Sequence, residues 1–237
     1  MNIILALTLG FIIGSFPTAY ILLKKSKGID ITQHGSGNVG AMNSFEVTNS
    51  KIIGILVLLI DAFKGWLASF LAYNLIEHDF RITIVALLFA VIGHCYSPWI
   101  KFKGGRGLAT AAGGAIFISL PVLFLWILFW ILFYLIKKNI HFANILATFF
   151  LIILPFIFTD LMINYSFIIP EIKFHFPIFV STIMIVIISK HIEPLKNFNL
   201  QNNYIIIVYI VLDLVFLGFV LIFKNKFSVN LFLFWFC

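Results

Sequence analysis

The sequence predicts an all-α fold, a polytopic transmembrane helical bundle, and three observations predict it. Hydrophobic residues make up 62% of the 237 and charged residues only 11%, where a soluble domain carries about a quarter charged. Apolar runs of about 20 residues, the length that crosses a bilayer, recur along the chain. Lys and Arg gather in the gaps between those runs, as the positive-inside rule requires of cytoplasmic loops. The net charge of +7 therefore reflects topology and gives no sign of a nucleic-acid partner. Cys95 and Cys237 suggest neither a disulfide framework nor a metal site, and no cofactor is expected.

The first expected helix covers 2–23, broken in its middle by Gly14, Ser15 and Pro17. Proline lacks a backbone donor and kinks a helix. Lys24, Lys25 and Lys27 follow, then the glycine-rich stretch Gly35-Ser36-Gly37-Asn38-Val39-Gly40-Ala41-Met42-Asn43, read as loop as far as Lys51. Its glycines allow successive N–H groups to face one point, an anion-binding nest. The G-x-G-x-x-G spacing lacks the strand a dinucleotide fold needs. A second helix is expected over 52–76 and a third ending near Trp99. Next comes a second basic glycine loop, Lys101-Phe102-Lys103-Gly104-Gly105-Arg106-Gly107.

The apolar span 108–136 is long for one helix, and Ser119-Leu120-Pro121 reads as a turn dividing it. The division returns Lys137 and Lys138 to the side of the earlier lysines. Further helices are expected over 142–161, 176–189 and 204–223. Eleven of the sixteen Lys and Arg residues then lie on one side, which orients both termini outward. Eight helices result: seven within a domain spanning 1–200, and an extra one in a C-terminal segment, 201–237. Lys224 and Lys226 run against the rule.

Three polar clusters converge on the cytoplasmic side. The first loop offers Ser36, Asn38 and Asn43 beside backbone donors; the second offers Lys101, Lys103 and Arg106 ahead of a helix opening at Leu108-Ala109-Thr110; His191 ends the seventh helix. A helix N-terminus behind glycines and cations suits phosphate. Such a pocket in apolar surroundings suits a phosphorylated substrate with an acyl chain. Other polar residues stay open. The lysines also serve as topology determinants and headgroup contacts. Asp61 and Lys64, three apart, share a helix face and can pair, as a structural or a functional feature. His94 reads equally as a buried, hydrogen-bonded histidine.

These motifs, with Gly14-Ser15-Phe16-Pro17, Gly28-Ile29-Asp30-Ile31, Asp61 with Lys64-Gly65, Gly93-His94 and Phe102-Lys103-Gly104-Gly105-Arg106-Gly107-Leu108-Ala109-Thr110, follow one another in order over about the first two hundred residues. The chain resembles the acyl-phosphate-dependent glycerol-3-phosphate acyltransferase family, PlsY. The resemblance implies a seven-helix bacterial inner-membrane enzyme with its site on the cytoplasmic face. Such an enzyme moves an acyl group from acyl-phosphate to the 1-hydroxyl of glycerol 3-phosphate, needs no metal or acyl-CoA, and makes lysophosphatidic acid.

Carried onto this chain, the resemblance implies catalytic roles for Ser36, Arg106 and His191. It implies substrate contacts from Gly35, Gly37, Asn38, Asn43, Lys103, Gly104, Gly105, Gly107, Thr110 and Asn144. The chain also departs from the family pattern. Met42 stands for a Thr, Glu46 for an Arg, and Arg106 for a Lys. His141 and Asn144 stand for serines, and Pro194 for an Asn. Glu46 is the most consequential, since an acidic group there repels a phosphate; Lys51 and Lys196 are candidate compensating cations. A repurposed or inactive paralogue with another acceptor is therefore an alternative. So is a small anion transporter, although the polar clusters lie at one interface and not at the midplane.

Overall fold

The computed structural model describes residues 1–192. Among these residues the chain is helical throughout, with no strand. Five helical stretches have the length and apolarity to cross a membrane, and two shorter apolar helices accompany them. This is a multi-pass membrane bundle, in line with the seven helices expected before residue 200. The expected eighth helix over 204–223, the 201–237 segment, and the positions of Glu193, Pro194 and Lys196 lie outside the described residues.

The first span is two helices, α1 (Asn2–Ser15) and α2 (Thr18–Lys27), separated at Phe16 and Pro17 as the proline predicts. Gly28, in the left-handed conformation (φ 69°), ends α2 by donating its N–H to the carbonyls of Leu23 and Lys24. The loop that follows holds a feature the sequence reading missed. Residues Ala41–Thr48 form a short helix, α3, where continuous loop was expected. The eight residues show no strong periodicity, and the stop comes from Asn49 in a left-handed turn (φ 49°) before Ser50 caps the next helix.

That next helix, α4 (Lys51–Leu71), runs on into a π-helical turn at Ala72–Ile76. Asp79 then opens α5 (Phe80–Cys95) by accepting the N–H groups of Arg81 and Ile82. Two close crossings build the core. Along α1 and α5, Gly10 and Gly14 lie against the backbone of Ala86 and Ala90, with no room for a Cβ. Where α4 crosses α6 (Leu108–Ile118), Gly65 meets the Thr110 carbonyl and Gly113 meets that of Ala62. Small residues let membrane helices approach to backbone contact, where dispersion and packing replace the missing hydrophobic drive.

The turn expected at Ser119-Leu120-Pro121 exists: α6 stops at Ile118 and α7 (Leu120–Lys137) starts at once. With eleven residues, α6 is only about 16 Å long, roughly half a hydrocarbon core. Its exposed end is covered by the segment after α8 (Ile140–Ile157) and the short α9 (Thr159–Asn164). Phe167 and Ile168 donate their N–H groups to the Ile118 carbonyl (3.0 and 3.3 Å), and the Ser166 hydroxyl donates to that of Ser119 (2.7 Å). Backbone groups at membrane depth need such partners. The final described helix, α10 (His175–Ile192), packs against α8 and α5.

Candidate active site

The two glycine loops, Arg106 and His191 lie at one end of the bundle. The Val39 N–H donates to the Gly104 carbonyl (3.4 Å), joining the two glycine loops directly. Arg106 Nη1 lies 3.3 Å from His141 Nδ1, so the α6–α7 hairpin returns the chain to its starting end. His191, at the end of α10, is within electrostatic reach of both Arg106 and His141.

The first loop is held from within. Asp30 caps a 3-10 turn at Ile31–Gln33; its Oδ1 accepts the Thr32 hydroxyl (2.7 Å) and N–H (3.0 Å). Those bonds hold its carboxyl below the usual carboxylate range. Gly35 and Gly37 take positive φ (59° and 70°), a turn that other residues adopt only with strain. Asn43, the first-loop amide on α3, is buried, and its side chain ties the loop together. Its Oδ1 accepts the Ser36 N–H (3.0 Å), and its Nδ2 donates to the carbonyls of His34 (3.1 Å) and Asn38 (2.9 Å). The Asn43 amide is thus occupied by the loop itself. Ser36 is exposed and Asn38 half-buried above it.

The second loop turns through a 3-10 segment at Pro98–Ile100 and left-handed Lys101 and Phe102. Lys103 is exposed, Gly104 and Arg106 are half-buried, and Gly105 and Gly107 are buried. Gly107 sits at φ 85° as the N-cap of α6, which leaves the first N–H groups of that helix without intrahelical partners. Thr110 is fully buried one turn further in, its carbonyl against Gly65; it lies in the α4–α6 crossing, away from the loop surface. Asn144 is on α8, where its Oδ1 accepts the Trp130 indole N–H (2.7 Å) and so joins α7 to α8.

His191 is 2% exposed. Its Nδ1 donates to the Ile187 carbonyl (2.9 Å), which leaves Nε2 as the ring atom able to meet a ligand. Two residues outside the expected set belong to this end. His141 touches Arg106, and its only sequence signal was that it stood where the family has a serine. Lys190, adjacent to His191, is buried with its ammonium 5.0 Å over the Tyr96 ring, a cation–π contact. Glu46 is exposed on α3 and acts electrostatically on His141. The described residues contain no group of His, Cys, Asp and Glu arranged to hold a metal.

The chain is similar to known proteins in sequence and in fold. A glycerol-3-phosphate acyltransferase from Wolbachia pipientis wMel is 36% identical over 143 residues, covering 60% of this chain and 73% of the relative. One from Moorella thermoacetica is 40% identical over 144 residues, covering 61% and 73%. One from Helicobacter pylori is 40% identical over 124 residues, so that this chain spans 56% of that relative's length. Among solved structures, PlsY, an integral membrane glycerol 3-phosphate acyltransferase, superposes in its glycerol 3-phosphate form with a TM-score of 0.68. The identity is 27%, covering 86% of this chain and 94% of that one. Its lysophosphatidic acid form gives 0.66 at 28% identity. The glycerol-3-phosphate acyltransferase family model matches residues 4–199, and the chain belongs to that family.

Proposed function

We propose that the chain transfers an acyl group from acyl-phosphate to the 1-hydroxyl of glycerol 3-phosphate, giving lysophosphatidic acid at the cytoplasmic face of a bacterial inner membrane. The observation that carries this reading is the meeting of two joined glycine loops with Arg106, His141 and His191 at one end of the bundle. Both substrates are phosphates, and the loops, the α6 N-terminus and Arg106 supply donors and positive charge for them.

The donor arrives activated, so positioning and charge stabilisation supply most of what catalysis requires. The 1-hydroxyl oxygen bonds to the acyl carbon, the carbon–oxygen bond to phosphate breaks, and the alcohol proton leaves on hydrogen phosphate. Arg106 neutralises charge on the departing phosphate. The Ser36 hydroxyl and the His191 Nε2 orient the acceptor, with Asn38, Lys103 and the glycines of both loops holding phosphate oxygens. Asn43 contributes by shaping the loop that presents Ser36.

Purified protein incubated with acyl-phosphate and labelled glycerol 3-phosphate tests the reading. Lysophosphatidic acid is expected, with a loss of about 10²–10³-fold in kcat for Arg106→Ala and a clear loss for Ser36→Ala. Folded protein that makes none, beside an active family enzyme, overturns it. Glu46 favours a second reading, because a carboxylate beside the Arg106–His141 pair disfavours a doubly charged acceptor. Product formation with glycerol 3-phosphate that appears only in Glu46→Arg supports that repurposed role.

A further inference from the structure

Asp61, Lys64 and His94 lie outside the residues assigned above, yet all three are titratable groups buried in the bundle, at 2%, 5% and 7% exposure. Lys64 Nζ pairs with Asp61 Oδ1 at 2.7 Å and donates to the Phe16 carbonyl at 2.8 Å. Its third proton faces His94 Nδ1 and the Gly14 carbonyl, each at 3.5 Å. One ammonium thus joins α4 to α5 and to the break between α1 and α2. With Nδ1 turned to Lys64, the other side of the His94 ring faces Gly105, where a Cβ would collide with Nε2. The Gly105 N–H donates to the His94 carbonyl (3.0 Å), and the neighbouring Gly104 carbonyl receives the Val39 N–H of the first loop (3.4 Å). The polar cavity bordered by Thr18, Asp61, Lys64, His94 and Gly104 amounts to about 10 Å3, room for no more than one water.

We propose that Asp61, Lys64 and His94 are positioning residues that set the placement of the two glycine loops relative to each other. They thereby govern binding of the phosphate-bearing acceptor more than the chemical step. The inference rests on the acyltransfer reading above. A buried ion pair alone explains only helix association. What points to the loops is the continuous line of contacts from Lys64 through the His94 ring to Gly105, Gly104 and Val39, in a close-packed interior that transmits a displacement. A site out of place by a fraction of an ångström loses binding before it loses fold.

The test uses the full chain in detergent, with turnover kinetics and direct titration of glycerol 3-phosphate. His94→Ala is expected to raise KM for glycerol 3-phosphate about tenfold while kcat stays within about threefold. Gly105→Ala is expected to weaken binding strongly in the wild-type background. In the His94→Ala background it should add little, because the ring it strikes is gone. If His94→Ala does not fold, His94→Asn takes its place. Wild-type KM and titration in the His94 variants, or equal effects of Gly105→Ala in both backgrounds, overturn the positioning role alone. Wild-type protein that neither binds nor acylates glycerol 3-phosphate overturns the acyltransfer reading and this proposal with it.

Discussion

Lys64 and Asp61, and Lys173 and Asp160, are paired at the same distance, 2.7 Å, in opposite surroundings. The first pair has side chains 7% and 3% exposed, at the polar end of the bundle. Both members of the second are 71% exposed, at the other end. Separation alone would rank them equal. Burial separates them, because a charge withdrawn from water depends wholly on the partners the protein supplies, whereas a solvated one has water as an equal alternative. The buried ammonium also has a backbone acceptor at the α1–α2 break; the exposed one has its carboxylate. The two ends of the molecule differ in the same sense. One places a buried ion pair beside the glycine loops, and the other leaves its Lys173–Asp160 pair in solvent.

The largest expected effect follows from removing one member of the buried pair. Lys64→Met leaves the Asp61 carboxylate buried without its cation and should cost about 3–5 kcal/mol of stability. Thermal unfolding in detergent reads this as a large fall in Tm. The double variant Asp61→Asn/Lys64→Met is expected to be more stable than Lys64→Met alone, since a neutral pair carries no stranded charge. A double variant as unstable as the single would mean that the Phe16 contact, and not the ion pair, holds the site.

The buried pair also shows what was legible in the sequence and what was not. Its i,i+3 spacing marked a possible pairing on one helix face, but spacing says nothing about depth, so structural and functional readings stayed open. The α1–α2 break and the α6–α7 turn were legible because proline and the lysine pattern act locally. The α3 helix was not, since eight residues without a hydrophobic stripe carry little periodic signal. At the site, the glycine loops and Arg106 stood out through composition. His141 did not, because its role depends on α7 bringing α8 back to Arg106, a contact thirty-five residues apart. Asn43 was legible as a motif residue, but its amide is spent on the loop's own backbone.

Asn43 supplies the next effect in size. Asn43→Ala removes one acceptor and two donor contacts from a buried amide, and a cost of about 1–3 kcal/mol is expected. The loss falls on the loop that presents Ser36, so KM for glycerol 3-phosphate should rise along with the fall in Tm. A fall in Tm with unchanged KM would separate the loop from the acceptor and sharpen the division between holding the fold and holding the substrate.

At the opposite end, Asp79 tests whether polar groups there matter only locally. Its carboxylate caps α5 through two N–H groups and pairs with Arg81 at 3.1 Å. Asp79→Ala should cost about 1–2 kcal/mol, as loss of a helix cap does, with KM and kcat unchanged. Altered kinetics would show that the capped end communicates with the loops through α5.

The smallest effect is expected for Lys173→Ala, within about 0.5 kcal/mol, since an exposed pair gains little Coulomb energy and orders two long side chains. Added salt should leave the difference from wild type undetectable. If Lys173→Ala instead destabilised the chain by more than about 1 kcal/mol, the comparison would fail in its premise. Asp160 would then have to be reached by charges other than Lys173, or the segment between α9 and α10 would have to depend on the pair to cover the short end of α6. The second possibility has its own signature: Lys173→Ala would then be no worse than Ser166→Ala, which removes the hydroxyl bonded to Ser119 at that same junction.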